Sequence, residues 1–187
     1  MTSNQGWRGI VGGLAALAFI GALSPGRASA PAPPSAAEGA PSLADIGIDH
    51  PVLFYSGRTG NKDVYILHPG EKEPRNLTDH PAQDLCPAAS PDGKRVLFLS
   101  DRGGNMDIFS MDPDGSDVRN LTSSPETEEH PEFTPDGKRI LFVRDFEKRT
   151  EIWIMNADGS EARRLTHNEA RDERPFLSPD GSRIVFM

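Results

Sequence analysis

One stretch decides the fold of this chain: Ser90-Pro91-Asp92-Gly93-Lys94-Arg95. It returns in closely related form at residues 134–139 and 178–183, and successive copies lie 44 residues apart without insertion or deletion. A fixed period of roughly 20–50 residues is typical of solenoids, propellers and arrays. The sequence therefore predicts a repeat protein whose units occupy equivalent places.

The Pro-Asp-Gly at the centre of each copy predicts a tight turn. Proline sets φ at the first central position, aspartate caps its own backbone, and glycine supplies the positive φ that closes a hairpin. We therefore expect each copy to join two antiparallel strands. The predicted structural turn residues are Pro91, Asp92 and Gly93, then Pro135, Asp136 and Gly137, then Pro179, Asp180 and Gly181.

The segments between these turns are typical of short strands, rich in β-branched and aromatic residues. Val52–Ser56 aligns with Val96–Ser100 and Ile140–Arg144, and a fourth copy starts at Ile184. Further strands are predicted at 63–67, 107–111 and 151–155, at 75–78, 119–122 and 164–166, and at 87–90, 131–134 and 175–178. Each repeat thus contains four short strands.

The strand Val96–Leu99 is apolar at consecutive positions, so both of its faces should be covered. Four-stranded antiparallel sheets stacked face to face around an axis form a β-propeller. We therefore predict an all-β fold, a partial β-propeller of about three and a half four-stranded blades over residues 42–187. A β-sandwich is the alternative.

The first 30 residues are typical of a secretory signal peptide. Arg8 supplies the positive start, Ile10–Leu23 the apolar stretch, and Ala28–Ala30 the small-residue cleavage pattern. The apolar stretch is shorter than the ~20 residues of a membrane span, so we expect export without membrane insertion after cleavage. An uncleaved anchor is the alternative. Residues 31–41 are predicted to be a Pro/Ala-rich spacer.

Charge and cysteine content restrict the partners and the means of stabilisation. The formal net charge is −8, and loss of Arg8 and Arg27 with the leader would make it −10. Nucleic acid is therefore not expected as a partner, because phosphate contacts need clustered Lys and Arg. Cys86 is the only cysteine, so no internal disulfide can form.

The segment Ser100–Gly115, together with Arg119–Thr122 and the flanking Pro-Asp-Gly turns, resembles the propeller repeat of the TolB family. The resemblance covers about residues 52–187. It implies a periplasmic, non-catalytic module for protein–protein interaction at the cell envelope, where TolB belongs to the Tol-Pal system. The same repeat occurs in prolyl-oligopeptidase-like peptidases, so the alternative is an accessory propeller of a larger hydrolase or lyase.

Two departures from TolB bear on the expected assembly. The N-terminal α/β domain of TolB has no counterpart here, and six repeats of this period would need more residues than the chain contains. Ile184–Met187 begins a fourth blade and is expected to form an exposed apolar edge that invites pairing with another chain. Either the sequence is a fragment of a longer protein, or two copies assemble one ring.

No pattern of catalytic, cofactor-binding or metal-ligating residues is predicted. The sequence lacks a Gly-x-Ser-x-Gly elbow and any His-x-x-x-His or Cys-x-x-Cys pair. Asp112 and Asp114 precede Gly115 as in a calcium loop, but the later oxygen ligands are missing. We interpret this motif as a hairpin turn.

Acidic residues recur before the short strand that precedes each Pro-Asp-Gly turn. Asp84, Glu128 and Asp172 occupy equivalent positions, and Glu129 and Glu173 follow in two copies. If this strand is innermost, as the resemblance implies, the acids would surround one mouth of the channel and concentrate negative potential there. These five residues are the candidate partner-binding site; the alternative is that they are solvated loop acids.

A second polar set lies between the first two long strands of each repeat. It is predicted to order the hairpin, and it comprises Asn61 and Asp63, Asn105 and Asp107, and Arg149 and Glu151.

Overall fold

The structure, a computed structural model, describes residues 43–146 and 149–187. These residues form one turn of 3-10 helix, Ala44–Ile46, and thirteen strands. The predicted leader and spacer lie outside the described residues. The strands are β1 (Val52–Ser56), β2 (Asp63–Leu67), β3 (Arg75–Asn76), β4 (Asp84–Ala89), β5 (Val96–Ser100), β6 (Asp107–Met111), β7 (Arg119–Asn120), β8 (Thr127–Phe133), β9 (Arg139–Asp145), β10 (Thr150–Asn156), β11 (Arg163–Arg164), β12 (Phe176–Leu177) and β13 (Ile184–Val185).

The strands form four antiparallel sheets, each from one stretch of sequence. Blade 1 contains β1–β3, blade 2 contains β4–β7, blade 3 contains β8–β11, and blade 4 contains β12 and β13. Strands β4 and β8 contact each other across the gap between blades 2 and 3. This contact indicates that β4 and β8 lie nearest the propeller axis. The predicted all-β fold, a partial propeller, is confirmed.

The long strands β1, β2, β5 and β6 have the predicted bounds, but the inner strands β4 and β8 start earlier than predicted, and β12 is shorter than predicted. In β4, the pair Leu85↔Leu99 is followed by Ala88↔Leu97, which marks a bulge. The bulge accommodates Pro87, which has no N–H to donate. The inner strand β4 can therefore extend back past the proline to Asp84, and Glu128 likewise lies within β8, whereas Asp172 precedes β12.

The core lies between the blades. Val96 and Phe98 pack towards blade 1 with Val64 and Ile66. Leu97 and Leu99 pack towards blade 3 in a second cluster that includes Ile140 and Phe142. Consecutive residues of β5 thus serve opposite faces of one sheet, which explains the unbroken apolar run.

The Pro-Asp-Gly turns close in the same way in all three copies. In the first, Gly93 N donates to Ser90 O at 2.9 Å, and Asp92 Oδ1 accepts from Ser90 Oγ at 2.7 Å and from Lys94 N at 3.1 Å. These hydrogen bonds lower the pKa of Asp92. At the third copy, the corresponding bonds from Ser178 and Ser182 lower the pKa of Asp180 to about 2.

The second turn of blades 2 and 3 packs against the preceding blade. Gly115 has φ 89°, and a Cβ there would lie 2.6 Å from Leu77 O. Gly159 has φ 88°, and its Cβ would lie 2.8 Å from Leu121 O. Both positions therefore require glycine for its backbone conformation and for its lack of a side chain.

Candidate functional site

The three equivalent acids, Asp84, Glu128 and Asp172, are buried. Asp84 and Glu128 are 0% exposed, and Asp172 is 5% exposed. Their backbone N–H groups donate to the hairpin of the preceding blade, with Asp84 N bound to Lys62 O at 2.7 Å. The backbone of each acid is therefore bound to the hairpin of the preceding blade, with Glu128 N bound to Met106 O and Asp172 N to Thr150 O.

In blade 2, the carboxylate of Asp84 is held by Arg102. Arg102 Nη2 donates to both carboxylate oxygens at 3.1 Å. The same guanidinium lies over two aromatic rings, 5.3 Å from the centroid of Phe98 and 5.0 Å from that of Phe109. The guanidinium is thus held between the buried carboxylate of Asp84 and the pair of aromatic rings.

In blade 3, Glu128 has an equivalent partner that comes from a different place in the repeat. Arg144 Nε donates to Glu128 Oε1 at 2.8 Å, and its guanidinium lies over Phe142 and Trp153. Arg144 aligns with Ser100, whereas Phe146 aligns with Arg102. Burial raises the pKa of Glu128, although its hydrogen bonds and Arg144 act in the opposite direction.

The expectation that all five acids face an open channel is therefore revised for Asp84, Glu128 and Asp172. The reason is strand alternation: Asp84 lies opposite Ser100 and shares a sheet face with Phe98, which points into the contact with blade 1. All three carboxylates are buried and do not face solvent, although Asp172 lies outside any strand, before β12.

Glu129 and Glu173 follow on the opposite face and are half-buried. Arg171 Nε donates to Glu173 Oε1 at 3.0 Å. Burial raises the pKa of the Cys86 thiol in blade 2, and the negative charge of Glu129 raises it further. These two carboxylates are the candidate residues that remain in reach of solvent.

The bulges of β4 and β8, and the position before β12 that is equivalent in the repeat, contain residues that sequence reasoning did not select as a site. Cys86, His130 and Arg174 have φ values of 48°, 52° and 48°. His130 and Arg174 are exposed, and Cys86 is half-buried. The detectable signal was the proline that follows each of them, because an inner strand can pass a proline only where its pairing is interrupted.

The second polar set links each hairpin to the crossover into the next blade. Asn61 Nδ2 donates to His80 O at 2.5 Å and to Ala82 O at 2.9 Å. In the next repeat, Asn105 Nδ2 donates to Ser124 O at 3.1 Å and also to Glu126 O.

The acids of the same set, Asp63 and Asp107, bind asparagine side chains on the last strand of their own blade. Asp63 accepts from Asn76 Nδ2 at 2.9 Å, and Asp107 accepts from Asn120 Nδ2 at 2.8 Å. The Asn-Asp pairs therefore order both the hairpin and the crossover.

The described residues contain neither a cluster of metal ligands nor a helix that could span a membrane. Within residues 43–146 and 149–187, no group of three or more His, Cys, Asp or Glu side chains is placed to hold a metal ion. In the same part of the chain, no helix has the length and apolar character needed to cross a bilayer.

Known proteins of similar structure include several propellers. No curated protein matches the sequence. A prolyl endopeptidase shares 18% identity with a TM-score of 0.55, over 71% of this chain and 20% of that one, which shows the fold alone.

Two TolB structures are more similar in sequence. TolB from Agrobacterium tumefaciens is 30% identical with a TM-score of 0.64, over 73% of this chain and 49% of that one. TolB from Acinetobacter baumannii is 25% identical with a TM-score of 0.63, over 74% of this chain and 35% of that one. The chain thus spans about half the length of the first protein and about a third of the second.

Residues 34–187 match the TolB beta propeller domain family, which is most of the sequence. The blades, the repeated turns and the buried acids described above all lie within this match. The chain belongs to the TolB beta propeller domain family.

Proposed function

We propose that this protein is a non-catalytic periplasmic propeller module that holds a protein partner at the cell envelope. Family membership and the similarity to two TolB proteins support this function. The observation that carries it is the row of bulge residues, where Cys86, His130 and Arg174 share one backbone conformation but differ in chemistry. A non-glycine residue at positive φ costs about 1–3 kcal/mol, and such strain is concentrated at binding sites.

The five candidate acids have two different roles in the proposed interaction. Glu129 and Glu173 make the direct contacts, because their carboxylates are in reach of solvent. Asp84, Glu128 and Asp172 position the inner strands from within. The chain carries a net charge of −8, so a basic or neutral protein surface is the favoured partner, and nucleic acid is not.

The test is partner capture by immobilised protein from a periplasmic extract of the producing organism. The double variant Glu129→Gln/Glu173→Gln should capture several-fold less of the main partner at low ionic strength, with a smaller difference at high salt because exposed charges are screened. Glu73→Gln/Glu161→Gln is the matched control, since it removes the same charge from exposed positions on the outer part of the blades.

Two outcomes would contradict the proposal. Equal capture of the partner by both double variants would show that Glu129 and Glu173 do not contribute to binding. Failure of the unaltered protein to retain any partner at low salt would contradict the interaction module itself.

The second candidate function is an accessory propeller of a larger prolyl-oligopeptidase-like hydrolase or a lyase. It stays open because one fold can serve many functions. The gene sequence beyond the codon for Met187 distinguishes the two. A continuous reading frame that encodes a catalytic domain would support the accessory propeller and contradict the non-catalytic module.

Periplasmic location depends on the leader, which is proposed to be removed after Ala30. Cell fractionation followed by mass spectrometry of the N-terminus should find the protein in the periplasm with Pro31 as its first residue. An intact N-terminus in the membrane fraction would instead support the uncleaved anchor.

Self-association is proposed at the C-terminal edge. Val185 is 70% exposed and Met187 is 68% exposed, and Phe186 between them is also exposed. An apolar strand edge of this kind is a template for pairing with another chain.

A further inference from the structure

The tight turns of this chain contain Asp-Gly dipeptides, a pair of residues that can react with itself. In such a pair the glycine N can attack the side-chain carbon of the aspartate, because glycine has no side chain to obstruct the approach. The attack closes a five-membered succinimide ring, which water reopens to aspartate or to isoaspartate. The five dipeptides are Asp92-Gly93, Asp114-Gly115, Asp136-Gly137, Asp158-Gly159 and Asp180-Gly181, and all five aspartates are exposed.

One of these dipeptides is distinguished by a contact with the preceding blade. Arg75 Nη1, in blade 1, donates to Asp114 O at 3.0 Å, and Arg75 Nη2 donates to Pro113 O at 3.3 Å. Asp114 O is the carbonyl oxygen of the peptide bond whose nitrogen, Gly115 N, is the attacking atom. Among the described residues, no other Asp-Gly carbonyl accepts a hydrogen bond from a guanidinium.

The guanidinium is placed where charge develops during the attack. As the glycine N–H gives up its proton, negative charge gathers on the carbonyl oxygen of the same peptide bond, to which Arg75 already donates. A cationic donor that is in position beforehand stabilises developing charge without reorganisation. Arg75 therefore makes Gly115 N a better nucleophile.

The second turn of blade 3 is otherwise matched to the second turn of blade 2. Asp114 Oδ1 accepts from Ser116 N, and Asp158 Oδ1 accepts from Ser160 N, both at 2.9 Å. In both turns the glycine N donates to the carbonyl three residues earlier, again at 2.9 Å. The serine hydroxyl and N–H are the largest causes of the lowered pKa of each aspartate, and the charge of Arg75 is a minor cause at Asp114.

The two turns differ in the arginine of the preceding blade. Arg119 aligns with Arg75, but Arg119 Nε donates to Asp117 Oδ1 at 2.9 Å, and Arg119 Nη2 lies 2.9 Å from Asp117 Oδ2. Asp117 thus holds the guanidinium that would otherwise face Asp158 O. The same dipeptide is therefore present with an activating arginine in one blade and without it in the next.

We propose that Asp114-Gly115 is a site of spontaneous covalent modification, where Arg75 promotes succinimide formation and isoaspartate accumulates. Solvent protonates the carboxylate, Gly115 N forms a bond to Asp114 Cγ, and the carboxyl hydroxyl leaves with the amide proton as one water. A second water adds to the main-chain carbonyl carbon of Asp114 and breaks its bond to Gly115 N. The glycine then remains attached through the former side-chain carboxyl group, and no oxidant or reductant takes part.

The product alters the contact between blades 1 and 2. Isoaspartate inserts the side-chain methylene into the main chain directly before Gly115, which packs so closely on Leu77 that an added Cβ would lie 2.6 Å from Leu77 O. The lengthened turn cannot keep both this close approach and the hydrogen bond from Arg75. Modified molecules should therefore have a looser interface between the two blades.

The inference does not depend on a protein partner, and the purified protein alone tests it. After incubation at neutral pH, peptide mapping by mass spectrometry should find more succinimide and isoaspartate at Asp114 than at Asp158. Arg75→Gln should slow the reaction at Asp114 roughly tenfold, because it removes a charged donor from the developing charge, and should leave Asp158 unchanged. Arg75→Lys should retain part of the rate, since an ammonium group can still donate.

Two controls separate activation from other causes. Arg163→Gln changes the exposed arginine at the equivalent position of blade 3 and should leave the rate at Asp114 unchanged. In urea, where the blades are unfolded, Asp114 and Asp158 should react at the same rate, because a serine follows the glycine in both.

Three outcomes would overturn the proposal. Equal rates at Asp114 and Asp158 in the folded protein would show that the contact with Arg75 has no effect. A faster reaction at Asp114 in Arg75→Gln would show that the arginine protects the turn. A preference for Asp114 that persists in urea would assign its cause to the local sequence.

Discussion

Blades 2 and 3 bury the same kind of charge pair, but they take the arginine from different places in the repeat. Blade 2 uses Arg102, which lies after β5, with Asp84. Blade 3 uses Arg144, which lies two residues earlier in the repeat frame and within β9, with the longer Glu128. In both blades the guanidinium lies over an aromatic pair that joins the second and third strands.

The difference shows what the fold requires. A shift of two residues keeps a side chain on the same face of a strand, and the additional methylene of Glu128 changes the reach of the acid. The required feature is therefore a guanidinium in the space above the rings. The repeat position that supplies it can change.

The hairpins of the two blades differ in a second way. Blade 2 has the neutral donors Asn105 and Asn120 around Asp107, whereas blade 3 has Arg149 and Arg164 around Glu151. Both arginines lie 2.9 Å from Glu151 Oε1, but neither contact has the alignment of a hydrogen bond.

Among the described residues, more buried side-chain polar atoms lack a hydrogen-bond partner in blade 3 than in blade 2. All the buried side-chain polar atoms without a hydrogen-bond partner in the described part of the chain lie in this blade: Glu128 Oε2, Thr150 Oγ1, both carboxylate oxygens of Glu151, and Trp153 Nε1. At Glu151, ion pairs with two arginines therefore take the place of directed hydrogen bonds.

The largest expected effect comes from removing either buried arginine. Arg102→Ala and Arg144→Ala should each lower the free energy of unfolding by about 3–5 kcal/mol, because each leaves a carboxylate buried without its partner. Urea denaturation followed by circular dichroism measures the change. Arg163→Ala is the control and should stay within about 0.5 kcal/mol, since Arg163 is exposed.

A transplant tests whether the position of the arginine matters. Arg144→Ser/Phe146→Arg/Glu128→Asp gives blade 3 the arrangement of blade 2 and should recover most of the stability lost in Arg144→Ser alone. If the triple variant is as unstable as Arg144→Ser, the two placements are not interchangeable and the comparison fails.

A smaller effect is expected at a feature the two blades share. Gly115→Ala and Gly159→Ala force a Cβ against a backbone oxygen at positive φ, so each should cost the roughly 1–2 kcal/mol of a left-handed residue plus about 1–3 kcal/mol of overpacking. Thermal unfolding monitored by circular dichroism gives the comparison.

Blade 1 supplies the control for this prediction. Gly70 has φ 83° at the second turn, and a Cβ there meets nothing within 4 Å. Gly70→Ala should therefore cost only the conformational part, about 1–2 kcal/mol. Equal losses of unfolding free energy in Gly70→Ala and Gly115→Ala would show that the contact between the added Cβ and Leu77 O does not destabilise the fold.

The repeat frame was sufficient to predict the strands but not the faces of the inner strands. The bounds of β5 and β6 follow from turns at fixed spacing, and the apolar run Val96–Leu99 predicted covered faces. The side on which Asp84 lies depends on its position relative to the bulge, which only the proline after Cys86 signals. The repeat frame alone therefore predicts acids that line a channel mouth, whereas the structure buries Asp84.

The arginine partners were hidden for a related reason. Alignment by the repeat places Arg144 against Ser100 and Phe146 against Arg102, so no shared arginine position is visible for blade 3. The functional equivalence of Arg102 and Arg144 is a property of the sheet face, and it appears only when the strands are paired.

The smallest expected effect concerns the pH dependence of stability, where Glu128 and the turn aspartates act in opposite directions. Burial raises the pKa of Glu128 above its ordinary 4.5, so the folded protein retains that proton to higher pH than the unfolded chain. Stability from this group is present below 4.5 and is lost as pH rises through the raised pKa. The lowered pKa of Asp180 has the reverse effect, since its contribution is lost as pH falls from 3.8 towards about 2.

Glu128→Gln should therefore flatten the decline in unfolding free energy just above pH 4.5, whatever constant cost the amide imposes beside Arg144. Burial also raises the pKa of Glu132, so Glu128→Gln/Glu132→Gln should flatten the profile further. Asp180→Asn is the matched control, because it should alter the profile only below pH 3.8. Urea titrations between pH 3 and pH 7 give the slopes. An unchanged slope above pH 4.5 in Glu128→Gln would mean that Arg144 fully offsets the burial of this carboxylate, making blade 3 as well matched in charge as blade 2.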